Sequence, residues 1–283
     1  MILRLAGVRY WTASLLPALV GTTLPLWLRP PGFSFRWIAA GVFLLATVLL
    51  HAGFSFLLER AGHVSDSGWP GSALLAVGGA CITVACLLGL YLSRSVPGSI
   101  FIVYGLSVVF TGLLYAAPPF NFWCRAGGEV VLAAGLGLMP VLGAYLVQVG
   151  DLTRTVYLAA VPLVAVTGLW VWVAELASAA DDKKDGRETM VILFGTPFSG
   201  RVVVPALLLL TYVGLLGAVL TESLMPLVLT GLLTGGFAWR VAAESWSHYA
   251  SQARMLKARW YALLLHLSIC SIIAASSLFA SFR

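Results

Sequence analysis

Five carboxylates, Glu175, Asp181, Asp182, Asp185 and Glu188, fall within fourteen residues of a chain that has only eleven acids in all. On a helix of about 3.6 residues per turn, Glu175, Ser178, Asp182 and Asp185 share one face, with Asp181 close beside it. Carboxylates stacked in this way repel one another, and a cation lowers that cost. Oxygen ligands at this spacing suit Mg²⁺, which commonly bridges one or two carboxylates to substrate phosphates. Lys183, Lys184 and Arg187 add donors that a phosphate could use. A solvated loop of mixed charge accounts for the same residues, and spacing alone leaves both readings open.

Two further stretches carry chemistry. In HAGFSFLLERAGHVSD, Glu59, His63 and Asp66 again share a helical face, which His51 and Ser55 continue into apolar sequence. An ionisable group within such a run is costly and points to function. This stripe could hold a transition metal, or it could be a hydrogen-bonded seam between helices. In YAAPPFNFWCRAGGE, residues 115–129, Pro118 and Pro119 stop one helix while Gly127 and Gly128 open the next. Tyr115, Arg125 and Glu129 lie around that break.

The elements that must position these groups are membrane helices. The chain has 283 residues, 60% of them hydrophobic, and a mean hydropathy of +0.96. Nine apolar runs, at about 11–28, 37–57, 72–92, 99–117, 126–149, 155–176, 202–220, 224–239 and 260–280, each read as a span. A β-barrel would alternate apolar and polar residues instead. The first run carries polar residues and lacks a small-residue cleavage site, so it is expected to remain as a span. The expectation is an all-α polytopic membrane protein, one domain over residues 1–283.

Charge sets the expected orientation. With the N-terminus in the cytoplasm, twelve Lys and Arg residues fall on that side and five on the other, which satisfies the positive-inside rule. The net charge of +6 therefore reports topology in a cell inner membrane, not a nucleic-acid partner. The acidic segments would face the cytoplasm. The four cysteines form no CxxC pair, and the three within or close to the apolar runs read as small apolar residues. The segment AAESWSHYASQARMLKAR, before the last run, reads as an interfacial amphipathic helix against anionic lipid.

The 115–129 segment resembles the signature between the fourth and fifth spans of the UbiA superfamily of intramembrane prenyltransferases, most of all its menaquinone-forming branch. Tyr115, Pro118, Pro119, Arg125, Gly128 and Glu129 match, while Cys124 and Ala126 depart. The resemblance covers essentially the whole chain, from the opening RYWTASLLPALVGT onward. The family's two aspartate motifs are degenerate here. In the first, His51, Ala52 and Gly53 match, but Ser55, Leu58, Glu59 and Gly62 replace the two Asn and two Asp positions. In the second, Glu175, Asp182, Gly186 and Thr189 match; Arg187 replaces Lys, and Ala174 and Ser178 stand where Asn and the first Asp are expected.

The resemblance implies a UbiA-type bundle that moves an isoprenoid chain from a prenyl diphosphate to an aromatic or other lipophilic acceptor, assisted by Mg²⁺. It implies metal ligands among Glu59, Asp66, Glu175, Asp181, Asp182 and Asp185. Glu59, Asp182 and Tyr115 would lie at the reacting centre, and His51, Ser55, Arg125, Glu129, Lys183 and Arg187 would bind substrate. Two other readings remain: a terpene cyclase started by Glu59 with His51 or His63, and a non-catalytic lipid- or quinone-binding homologue.

Overall fold

The computed structural model describes residues 11–61 and 69–282. All nine apolar runs are helical: α1 (Thr12–Leu28), α2 (Trp37–Arg60), α3 (Gly71–Ser93), α4 (Ile100–Ala116), α5 (Gly128–Val149), α6 (Arg154–Lys184), α7 (Thr196–Leu220), α8 (Pro226–His248) and α9 (Gln252–Phe282). Seven of them are long and apolar enough to cross a membrane; α1 and α4, at 17 residues each, are shorter. A helix of that length rises about 25 Å, short of a hydrocarbon core of about 30 Å. Among the described residues, then, seven of the nine expected spans reach full length, and α1 and α4 are shorter. For α4 the stop is the Pro118–Pro119 pair, which forces Ala117 into an extended conformation.

Each helix packs on its successor, and α9 closes the ring by returning to α1. Burial identifies the axis of the bundle: 78% of the apolar window of α6 is buried, against 17% for α3. Helix α6 runs between α5, α7 and α9 with Val156, Leu163, Leu169 and Val173 fully buried. Burial of this apolar face, rather than helix propensity, holds its length together. That length carries α6 past the apolar run into the acidic segment, as the periodicity predicts.

One expected element is replaced. The region before the last run is not a separate interfacial helix. Helix α8 starts with nine tightly wound residues, continues through Trp246 to His248, and turns at Tyr249–Ser251 directly into α9. The charges of this turn satisfy one another: Arg254 Nε donates to Glu244 Oε2 at 2.6 Å, and the Arg201 guanidinium lies 4.9 Å from the Tyr249 ring.

The end of α2 and three inter-helix connections meet at one end of the bundle. Leu58 at the end of α2 packs with Tyr115 at the end of α4. The Cys124 carbonyl accepts from Glu188 N at 2.9 Å, joining the α4–α5 and α6–α7 connections. Gln252 Nε2 donates to Asp181 Oδ2 at 2.8 Å, bringing in the start of α9. The chemistry-bearing residues collect here.

Candidate functional site

The centre of the site is the last two turns of α6. Ser178 Oγ donates to Asp182 Oδ2 at 2.6 Å, one helical turn away. Past Lys184 the chain reverses at Gly186, whose φ of +72° lies in the left-handed region that favours glycine. The reversal lets Arg187 N donate to the Asp182 carbonyl at 2.9 Å and sends the Arg187 side chain back along the helix. Its Nη1 pairs with Asp182 Oδ1, and its Nη2 lies 3.4 Å from Glu175 Oε1. Nη2 and Nε also donate to the Trp123 carbonyl at 2.8 and 3.2 Å. The Trp123 ring covers the guanidinium at 4.4 Å.

This is a nearly closed ion cluster. The side chains of Arg187 and Asp182 are only 10% and 7% exposed, so the pairing is little screened by water. Burial alone would lower the Arg187 pKa, but Glu175 and Asp182 outweigh it and hold the guanidinium above its ordinary value. The negative end of the α6 dipole favours a cation at the same place.

Around the cluster, Tyr115 is buried edge-on to Trp123 with ring centroids 5.8 Å apart, and lies within electrostatic reach of Glu175, Arg187 and Glu129. Glu129, in the first turn of α5, accepts from the backbone N of Met190 at 2.8 Å and of Val191 at 3.4 Å. It thereby anchors the segment that follows the acidic turn. Replacing Glu129 with Ala is expected to cost about 1–3 kcal/mol, because the buried Val191 amide and the part-buried Met190 amide lose their acceptor. Thermal unfolding of the purified protein measures this.

The remaining sequence candidates separate. Glu59 is buried at the end of α2, next to Leu58 in the Tyr115 cluster. His51 and Ser55 lie deeper in α2: the His51 ring pairs with Ser14 Oγ at 3.1 Å, and Ser55 Oγ donates to the His51 carbonyl at 2.9 Å. Asp181, Lys183, Asp185 and Arg125 are exposed. Asp181 pairs with Lys184 at 3.1 Å and with Gln252, away from the Asp182 side of the helix. Asp185 ends the helix instead of extending its face. His63 and Asp66 lie outside the described residues.

Trp123 is the partner that spacing did not single out. The available signal was a tryptophan inside a short break bounded by paired prolines and paired glycines.

A divalent cation at the end of α6 would need the oxygens of Glu175 and Asp182. One buried carboxylate oxygen nearby, Glu129 Oε2, has no hydrogen-bond partner and would suit a cation. Asp182, however, has both oxygens engaged, and Glu175 faces the same guanidinium. Among the described residues no group of three or more His, Cys, Asp or Glu side chains is placed to hold a metal ion. The second acidic segment, as folded, does not fit one.

This arrangement of helices is that of UbiA-type membrane proteins. A UbiA homologue from Archaeoglobus fulgidus bound to DMAPP and Mg²⁺ matches 95% of this chain and 99% of its own at a TM-score of 0.67 and 14% identity. A digeranylgeranylglyceryl phosphate synthase matches 98% of both chains at a TM-score of 0.71 and 10% identity. A UbiA homologue from Aeropyrum pernix K1, in its apo form, matches at 0.68 and 18% identity, over 97% of this chain and 98% of its own. In sequence, the chain is 26% identical over 232 residues to 1,4-dihydroxy-2-naphthoate octaprenyltransferase from Bacillus subtilis, covering 76% of this chain and 72% of that one. No protein-family model matches. The fold is thus the one seen in solved UbiA homologues, and the sequence is similar to that of a prenyltransferase.

Proposed function

We propose that the chain is an intramembrane prenyltransferase that takes a prenyl diphosphate at the acidic end of its bundle and transfers the isoprenoid group to an aromatic or other lipophilic acceptor. The observation that carries this reading is convergence. Tyr115, Trp123 and Glu129, from the connection between α4 and α5, meet Glu175, Asp182 and Arg187 of α6 and its turn. Aromatic faces thus adjoin a charged end, beside an apolar interior.

In the reaction, the allylic C–O bond breaks as diphosphate leaves, an acceptor carbon attacks the allylic cation, and the acceptor gives up a proton. Tyr115 and Trp123 would cover the cation and keep water from it. Lys183 and Arg125 stand exposed at the same end and would meet the diphosphate oxygens. A Mg²⁺ ion on the donor's diphosphate would neutralise the charge of the leaving group. Glu59, with Asp66 beyond the described residues, is the acid that would face that ion. Asp182 acts by holding the charged turn in place. The excess of Lys and Arg in the connections at this end supports a cytoplasmic orientation, where water-soluble diphosphates are available.

The test is diphosphate release from geranyl, farnesyl and geranylgeranyl diphosphates by purified protein, with a mixture of aromatic acceptors. Release is expected with at least one donor, and it is expected to fall by about 10²-fold or more in Asp182→Ala. A full rate in that variant would overturn the role of this end of α6. No release with any donor would overturn the transferase reading; an isomeric, diphosphate-independent product would then support cyclisation.

A further inference from the structure

We propose that Arg187 serves as a tethered cation in the place where the acids of α6 would otherwise bind a divalent metal, so that this half of the site works without one. Three observations converge. The guanidinium pairs with Asp182 and Glu175 together, and Ser178 takes the second Asp182 oxygen at 2.6 Å. Nη2 and Nε also donate to the Trp123 carbonyl, and the Trp123 ring closes over the group at 4.4 Å. The backbone turn through Gly186 and the Arg187 N–Asp182 O bond of 2.9 Å fix the arginine there before any ligand arrives. A dication entering this cluster would have to expel a buried, pre-positioned cation or sit beside it. Both are unfavourable where water screens little.

The proposal deepens the reading of the site given above, and its test uses no prenyl donor, so the two can fail separately. Mn²⁺ is the probe, because the free aqua ion is counted directly by electron paramagnetic resonance. Purified full-length protein in detergent is titrated as wild type, Arg187→Lys, Arg187→Gln, Asp182→Asn and the Asp182→Asn/Arg187→Gln double variant. Removing the arginine is expected to tighten Mn²⁺ binding by about tenfold or more, the scale on which ligand surroundings alter metal affinity. Arg187→Lys keeps the cation and is expected to behave as wild type. The double variant is expected to lose the gain, and Asp182→Asn alone is expected to leave the wild-type affinity unchanged.

Mn²⁺ binding by Arg187→Gln no tighter than wild type would overturn the proposal. So would a roughly tenfold loss in Asp182→Asn, since it would make Asp182 a metal ligand in the native protein. The second comparison does not need the arginine-free variant to fold.

Discussion

Replacing Asp182 with Ala is expected to lower the stability of the protein by about 3–5 kcal/mol, among the largest effects a single change can have here. The loss is not that of one attraction. The Arg187 side chain is only 10% exposed, and without Asp182 it keeps its charge with Glu175 at 3.4 Å as its remaining carboxylate partner. The Ser178 hydroxyl also loses its acceptor. The same argument predicts a rescue. Asp182→Leu combined with Arg187→Met removes both charges, and is expected to recover most of the stability, because buried ion pairs often break even against apolar residues of similar volume. Thermal unfolding in detergent of the single and double variants checks both. A double variant as unstable as Asp182→Ala would mean that lost packing, and not a stranded charge, dominates.

Gly128→Ala is expected to cost about 1–3 kcal/mol or more and to reduce prenyl transfer as well. A methyl group at Gly128 would meet the backbone carbonyl oxygen of Phe122 at 2.2 Å, a contact that no side-chain rotation relieves. The segment from Phe122 to Cys124 must move, and Trp123 belongs to it. Moving Trp123 shifts the carbonyl and the ring that hold Arg187, so strain at the start of α5 reaches the charged cluster. The prediction has two readouts: unfolding temperature, and diphosphate release at a temperature where the variant remains folded. A variant that loses stability but keeps full release would separate the glycine from the site.

Much of this was legible along the chain. The apolar runs marked the helices, because a backbone in hydrocarbon must satisfy its own hydrogen bonds. Pro118 and Pro119 ended α4, and helical spacing put Glu175, Ser178 and Asp182 on one face. The same reasoning failed where a charge had a choice of partners. Asp181 was grouped with Asp182 because the two are adjacent, yet it pairs with Lys184 and with Gln252, 71 residues away in sequence. The region before α9 read as one interfacial helix because it interleaves Trp246, Tyr249, Met255 and Trp260 with Arg254, Lys257 and Arg259. Glu244 and Arg254 instead pair across a turn that joins two helices.

Local composition was sufficient for the membrane-embedded helical class, for where the helices lie and for the presence of an acidic end, since each depends on near neighbours in the chain. The state of that acidic end was settled only by folding. Arg187 read as a donor for phosphate, but it is drawn instead into two carboxylates and the carbonyl of Trp123, 64 residues earlier. Electrostatic neutralisation depends on distance in space and on exclusion of water, and only the packed bundle supplies both.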